Sequence, residues 1–598
     1  MASSIILDLT DLLEFLEAYR SPMGVARVQM ALLEAGLAEG APPLFQLTTY
    51  DPEAGRFVAF PNALMQALIR ASRQGGHYDQ PDWIALRDEK RRVRAAAPAF
   101  VFQPEDRVVA LGLTGANPHQ LRRLRELRQA HGVQICALFY DAIPLAAPEH
   151  CELKLTRSFT EHFLAMCLQI DRATAISACS AQDFRTWQRR MLPNLDVPVG
   201  IMPLNAQFAP LLDEAPAEQL PDVLRDGRPF VLCVATIEAR KNHLLVLNAW
   251  LTLLRRHGHA VIPDLVLLGR PGFNAGPALH LIEAAPELRA RVTRLENAGD
   301  AVLKLLYERC LFTVFNSFYE GWGLPVTEAL AHGKLALTPD HTSLREAGGG
   351  AALYFTPQSE PELAELVWSL LRDPERLQRL EAAIPERVTL RGWRDVAQGL
   401  VDSLLAPAPA LPEPVSRLYF PMGYRIGFET PAIPDLPALP EPGALLHQLL
   451  CEGEGWGLQE RWGIWAMRGP ARLRLPLYVP PPGPVALTLE VTAPPTTGTR
   501  LRLRAIRPGA APEPWLSLAL AAGEARHLRV TVPPCEAGDL VIEFDTSAAP
   551  QVPGDDRALS VLITGLMLCP EADEKMQLRY LADRVGLTRL DSAAAGPG

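Results

Sequence analysis

Two glutamates eight residues apart, Glu320 and Glu328 within NSFYEGWGLPVTEALAHG (316–333), have the type and spacing to hold a sugar. A carboxylate only accepts hydrogen bonds, and a ribose or hexose offers paired hydroxyl donors. Upstream, Arg240 and Lys241 are adjacent at a strand-to-helix turn. There a guanidinium could grip a diphosphate with its planar fork while the ammonium adds a compact point charge. Asp141, in FYDAIP, closes an apolar run where a strand meets a loop. Gly24, in SPMGVARV, bares the start of a helix, where exposed N–H groups can receive phosphate. Each feature also has a plain structural reading. Acids favour helix N-termini, cation pairs decorate surfaces, and a glycine before a helix can be only a turn. The nine residues E-G-W-G-L-P-V-T-E are harder to account for that way.

The elements that must position these groups are legible nearby. The apolar run Leu311–Phe315 predicts a strand, then a turn, then a helix with Pro325 in its first turn, where the missing N–H is not needed. Gly321 and Gly323 let backbone come close to a ligand. Both glutamates then fall at the carboxyl end of a parallel strand, the place where open α/β sheets bind ligands.

This stretch resembles the E-x7-E element of retaining, nucleotide-sugar-dependent glycosyltransferases of family 4, which have the two-domain GT-B fold. The resemblance implies that Glu320 contacts the donor sugar, that Glu328 contacts the ribose hydroxyls, and that Gly321, Gly323 and Leu324 line the donor. It extends to G-x-x-R-V at residues 24–28, which implies Gly24 near the donor phosphates and Arg27 near the cleft. Arg240-Lys241 matches the family's diphosphate-binding pair. The HTSLRE turn (341–346) matches its small-residue turn near the phosphates, implicating Thr342, Ser343 and Leu344; Ser343 also reads as an N-cap. Relatives often carry His-Asp where this chain has Tyr140-Asp141. Asp141 fits that pattern, whereas Tyr140 could donate to a sugar hydroxyl but could not act as an imidazole. Arg240, Lys241, Glu320 and Asp141 are the expected catalytic residues.

Length and composition frame the rest. The 598 residues suggest about three domains, and 48% hydrophobic with 21% charged residues is ordinary for a globular chain. A net charge of −10 argues against a chain-wide nucleic-acid footprint. Nine scattered cysteines without CxxC fit a reducing cytoplasm and argue against structural zinc. MASSIILDLTDLLEF reads as a first strand and not a signal peptide, and no run is apolar enough to span a bilayer.

Strands are expected at residues 5–9, 108–111, 133–139 and 173–177, with helices over 117–130 and 156–169; this alternation predicts a doubly wound parallel sheet. Residues 70–98 read as charged and irregular. The Arg87–Arg94 run is a solvated helix face, or else a patch for anionic acceptor or membrane headgroups. A linker near 203–228 precedes a second α/β half with strands at 230–235, 265–268, 292–295, 311–315 and 335–338. Residues 393–405 are expected to be the helix that crosses back onto the first half. Ten prolines in 406–445 mark another boundary. Beyond it, short strands predict a β-sandwich, where Trp456, Trp462 and Trp465 are core or, alternatively, a sugar-stacking surface.

With the resemblance, which implies GT-B, the expected architecture is α/β GT-B with an all-β addition: an N-terminal Rossmann-like acceptor-side domain (1–205), a nucleotide-sugar-binding domain (206–405), a linker (406–445) and a sandwich (446–598). The resemblance implies the expected activity: metal-independent transfer of a hexose, mannose-like by preference, from a nucleotide-diphosphate sugar with GDP-mannose favoured. The acceptor is a glycan or lipid-linked glycan of surface polysaccharide. No cofactor is implied, and no D-x-D triplet occurs. A cytoplasmic site is expected, with peripheral contact at the inner membrane face left open and oligomeric state unread. The alternatives are a catalytically silent GT-B carbohydrate-binding protein and a nucleotide-sugar epimerase.

Overall fold

The computed structural model describes residues 4–585, apart from 21–23, 39, 113–119, 193–194, 206–220, 226, 408–421, 429–449, 461, 478–479 and 537. Most of both expected linkers lies outside the described residues. The chain forms two compact units, one of 1–116, 131–159 and 170–410, the other of 117–130, 160–169 and 411–598.

The first unit contains two Rossmann-like sheets. Strands β1 (Ile5–Asp8), β2 (Gln46–Asp51), β3 (Arg56–Ala59), β4 (Arg107–Ala110), β5 (Gln134–Phe139), β6 (Arg172–Ala175) and β7 (Val199–Ile201) run in the order β3-β2-β1-β4-β5-β6-β7. Every pairing is parallel except β2 with β3. The second sheet, all parallel, orders β8 (Phe230–Val234), β9 (Asp264–Leu268), β10 (Val292–Leu295), β11 (Thr313–Val314), β12 (Ala336–Pro339) and β13 (Leu353–Phe355) as β10-β9-β8-β11-β12-β13. Their apolar runs fit strands buried on both faces. The GT-B arrangement expected from the sequence, two such sheets followed by an all-β sandwich, is what the chain adopts.

The Trp393–Leu405 helix leaves the second half and packs on the first. Arg394 donates to the Ala35 and Pro42 carbonyls at 3.0 and 2.8 Å, and Ser403 meets Thr174 of β6 at 2.8 Å. Its inward face, Val396, Ala397, Leu400 and Leu404, joins the hydrophobic cluster that also contains Leu7, Leu138 and Phe230.

The segment expected to be irregular is regular: Pro81–Ala96 is a helix. Its basic run is not simply solvated. Lys90 is buried and donates to the Leu13 carbonyl at 2.7 Å while pairing with Glu17, and Arg91 pairs with Glu17 at 2.6 Å. Lys90 is thus committed to the fold, whereas the Arg91 and Arg92 side chains are 54% and 72% exposed.

In the second unit, antiparallel strands Trp456–Glu460, Gly463–Met467, Leu559–Pro570, Val485–Thr492 and Ala525–Val532 line up in that order, with Ile426–Gly427 also on Leu559–Pro570. The facing sheet orders Cys451–Glu452, Ala471–Leu477, Gly538–Phe544, Thr499–Ile506 and Leu516–Leu520. Both contribute to one core, as a sandwich requires. Trp456 and Trp465 are 1% and 7% exposed and so act as packing, whereas Trp462 is 61% exposed. The tail helix Glu574–Val585 is anchored: the Tyr580 hydroxyl donates at 2.6 Å to buried Glu490, whose carboxylate Arg425 grips at 2.8 and 2.7 Å.

Candidate functional site

Past β8 the chain makes a single tight turn, Ala239–Lys241, and Asn242 (φ +42) caps the His243–His257 helix by accepting from the Leu245 N–H at 3.3 Å. The turn aims two adjacent cations the same way. Arg240 donates to Glu320 Oε1 at 2.8 Å, to the Tyr319 carbonyl at 3.0 Å and to Glu238 at 2.7 Å, and Lys241 Nζ donates to the same Glu320 oxygen. The Lys241 ammonium also lies 5.1 Å from the centre of the Phe315 ring. Burial works against charge on Glu320, but Arg240 and Lys241 outweigh it and hold the carboxyl below its usual range. Burial, with Arg240 beside it, pushes Lys241 down. Glu320 thus balances two desolvated cations, which a diphosphate of opposite charge could engage in its place.

Glu328 lies in the Leu324–Ala331 helix, with Pro325 in the first turn as the sequence predicts. Gly323 precedes it at φ +104, a conformation that favours glycine, and Leu324 is half-buried against the core. Glu328 Oε1 accepts from Arg27 Nε at 3.1 Å and Oε2 from the Tyr307 hydroxyl at 2.9 Å. Arg27, expected near the cleft, lies where the two halves meet. Its guanidinium bridges Glu328 and Asp300 (2.8 Å), pairs that join the two α/β halves. Gly24 opens the Arg27 helix at φ +55, and a Cβ there would meet nothing within 4 Å.

The 341–346 turn divides its roles. Ser343 occupies the N-cap position of a five-residue helix without a side-chain cap bond; its hydroxyl lies 2.8 Å from the Glu320 carbonyl and 3.0 Å from that of Trp322. Leu344 is buried and abuts Gly323. These two residues shape the glutamate turn from behind. Thr342 differs: it is β-branched yet sits at φ +51, and its buried hydroxyl has no hydrogen-bond partner. Strain together with an unsatisfied hydroxyl makes Thr342 a candidate ligand position.

From the first half, Asp141 Oδ1 accepts from the Ile143 N–H at 3.0 Å. Burial raises its pKa, the Ile143 bond and Arg240 oppose the rise, and Glu320 adds to it, so Asp141 faces the same cluster. Tyr140 does not. Its ring is buried and its hydroxyl donates to the Leu111 carbonyl at 2.9 Å, which is at odds with the expected sugar contact. Its backbone matters instead. A Cβ on Gly321 would fall well inside contact distance of the Tyr140 carbonyl oxygen and 2.9 Å from Asp141 Cβ.

Several residues at this junction carry no sequence signal, because their partners lie far along the chain. The Tyr319 hydroxyl contacts both Asp183 oxygens at 2.9 Å. Glu346 accepts from the Ala178 and Cys179 N–H groups at 2.7 and 2.8 Å, capping the Ala178–Met191 helix from the other half. His150 stacks on Phe318 with ring centres 4.0 Å apart.

Burial pushes the Asp183 carboxyl up to about 6; Tyr319 opposes this and Asp141 adds to it. The neighbouring Cys179 thiol, pushed up to about 12, stays neutral. Parting the halves would expose Asp183 and return it to about 4. Closure therefore takes up a proton between about pH 4 and 6, and is favoured as pH falls through that window. The apparent affinity for a ligand held between the halves should rise roughly three- to tenfold from pH 7 to 5, after allowance for solvent screening. Asp183→Asn should flatten that slope, and an Asp183→Asn profile parallel to wild type would exclude the link.

Residues 218–387 match the family model described as glycosyl transferases group 1. The serotype-specific mannosyltransferase WbdA of Escherichia coli is 26% identical over 323 residues, covering 52% of this chain and 38% of that protein. The O-antigen chain mannosyltransferase B of Escherichia coli is 30% identical over 165 residues, 27% of this chain and 42% of that protein. The chain thus spans about two fifths of the length of these relatives. A crystal structure of Anabaena HepE in complex with UDP-glucose aligns over 67% of this chain and 99% of its own, at 13% identity and a TM-score of 0.44. Among the described residues, no helix is long and apolar enough to cross a membrane.

Proposed function

We propose, proceeding from a glycosyltransferase group 1 domain at residues 218–387, that this protein is a retaining glycosyltransferase. It moves a hexose, mannose by preference, from a nucleotide-diphosphate sugar to a glycan or lipid-linked glycan acceptor in surface polysaccharide synthesis. The observation that carries this is the meeting of Arg240, Lys241, Glu320, Asp141 and the unsatisfied Thr342 hydroxyl around one turn-and-helix-start junction. The mannosyltransferase relatives support the choice of sugar.

In this mechanism the bond between the anomeric carbon and the diphosphate oxygen breaks while the carbon gains oxocarbenium character. Arg240 and Lys241 stabilise charge on the departing diphosphate, and fixed cations in a desolvated site do so without reorganising. The Glu320 and Asp141 carboxylates receive the sugar hydroxyls. The acceptor hydroxyl attacks from the face the leaving group departs, giving its proton to the departing phosphate, so no separate carboxylate pair is needed. Closure of the halves excludes the water that would otherwise hydrolyse the donor.

Calorimetric screening of GDP-, UDP-, ADP- and dTDP-sugars, followed by transfer assays with and without EDTA, tests the proposal. One donor should bind and turn over only with acceptor present, equally well with the chelator. Binding without any turnover would favour a silent carbohydrate-binding protein, and epimerised donor would mark an epimerase.

A further inference from the structure

We infer that the Leu516–Leu520 strand, an uncharged open edge of the sandwich, pairs antiparallel with the same strand of a second copy and joins two chains into a dimer. This edge lies in the second unit, so the dimer is independent of the donor reading.

A sheet edge leaves N–H and C=O groups unpaired, and proteins blunt it with charge, proline, irregular register, brevity or a cover. Among the described residues, three of the four edges of the sandwich are blunted. Trp456–Glu460 shifts register between Trp456 and Gln459 and ends on Glu460, which Arg557 pairs at 2.7 Å. Ala525–Val532 carries the exposed Arg526 and Arg529. Cys451–Glu452 is two residues long, and Arg125 donates to the Cys451 carbonyl at 2.8 Å. Leu516–Leu520, reading LSLAL, holds no charge and no proline and keeps regular register along Thr499–Leu503. Directly paired residues share a face, so Leu516 and Leu518 lie on the core side with buried Leu503 and Leu501. Leu520 is buried there, but Leu516 and Leu518 are 49% and 39% exposed, so the facing sheet does not cover them.

A second copy supplies that cover. The leucines of L-S-L-A-L fall in the same places read in either direction. Antiparallel pairing about Leu518 therefore sets leucine beside leucine at all three positions, and a pairing about a twofold closes at two chains. The charges agree with it. The strand is preceded by the Arg507–Glu513 pair at 2.8 Å and followed by the Arg526–Glu524 pair at 2.5 Å, so start against end brings balanced pairs together. Five residues span about 17 Å. So short a seam buries less than about 1,200 Å², which places the dimer among weak, concentration-dependent associations.

Sedimentation velocity on the full chain, from about 1 to about 300 µM, tests this. Wild type should be monomeric at the low end and at least about half dimeric at the high end. Leu518→Lys puts a charge on the edge and should weaken association at least about tenfold. Trapping decides the register, and decides the matter should Leu518→Lys fail to fold. Under mild oxidation Leu518→Cys should give a disulfide-linked dimer, because the two Cβ atoms would lie about 5 Å apart. Ser517→Cys, which faces alanine in that register, should not exceed the wild-type background. Association that Leu518→Lys leaves unchanged overturns the inference, and so does equal trapping at the two positions. A chain that stays monomeric throughout also overturns it, and retention of that monomer on anionic phospholipid vesicles would assign the leucines to a membrane instead.

Discussion

Arg240→Ala is expected to lower kcat for sugar transfer by about 100- to 1,000-fold, the usual loss when one preorganised donor to a developing negative charge is removed. Arg240 reaches Glu320 at 2.8 Å and Glu238 at 2.7 Å, so its fork is held between two carboxylates at the site proposed for the donor. Lys241 remains in the variant but offers a single ammonium, already committed to the Glu320 oxygen that Arg240 shares. The change also leaves buried Glu320 with one cation fewer, and breaking a buried pair costs about 3–5 kcal/mol. Lost activity must therefore be separated from lost fold. Arg240→Lys retains charge and should recover stability while recovering little of kcat, because the two-pronged geometry is gone. Steady-state kinetics beside thermal melts distinguish these outcomes, and an Arg240→Ala enzyme within threefold of wild type would remove Arg240 from the chemistry.

Gly321→Ala is expected to be nearly as damaging for a different reason. The methyl group would collide with the Tyr140 carbonyl oxygen, which belongs to the other half and cannot turn aside as a flexible side chain could. That carbonyl is itself pinned, 2.6 Å from the Ser180 hydroxyl, which also lies 3.2 Å from the Gly321 carbonyl. Each sheet with its helices should fold unchanged, because the clash is between them. The halves would be held apart by a fraction of an ångström to an ångström, a displacement of the kind that costs about 100-fold in rate. Donor affinity should fall much less, since Arg240, Lys241, Glu320 and Glu328 all lie on one side of the contact. Titrating donor against Gly321→Ala and measuring turnover on the same preparation tests this, and full turnover would show that the observed approach is not needed for catalysis.

What the sequence reveals about this site is what is local in it. The cationic turn and E-G-W-G-L-P-V-T-E declare themselves because glycine, proline and charge at fixed offsets encode a strand–turn–helix passage within a dozen residues. The parallel strands are visible as apolar runs. The β2–β3 hairpin escaped because Thr48 and Thr49, polar residues on opposite faces of β2, are both buried and leave no apolar run or alternation to read. Lys90 reads as surface charge because its partner carbonyl lies 77 residues away. The Arg27 contacts span 273 and 301 residues, and no periodicity can report them. Tyr140 misleads in the opposite sense: its place at a strand end suggests the cleft, and only packing shows the ring turned inward to Leu111.

The returning Trp393–Leu405 helix has a consequence for how the polypeptide can be divided. Arg394 and Ser403 serve as a clasp on Ala35, Pro42 and Thr174, so the first half is completed by residues synthesised 229 to 359 positions later. On the ribosome, the N-terminal half must wait, its flank uncovered, until the last helix of the second half emerges. Cutting the gene near residue 205 would leave that flank bare for good.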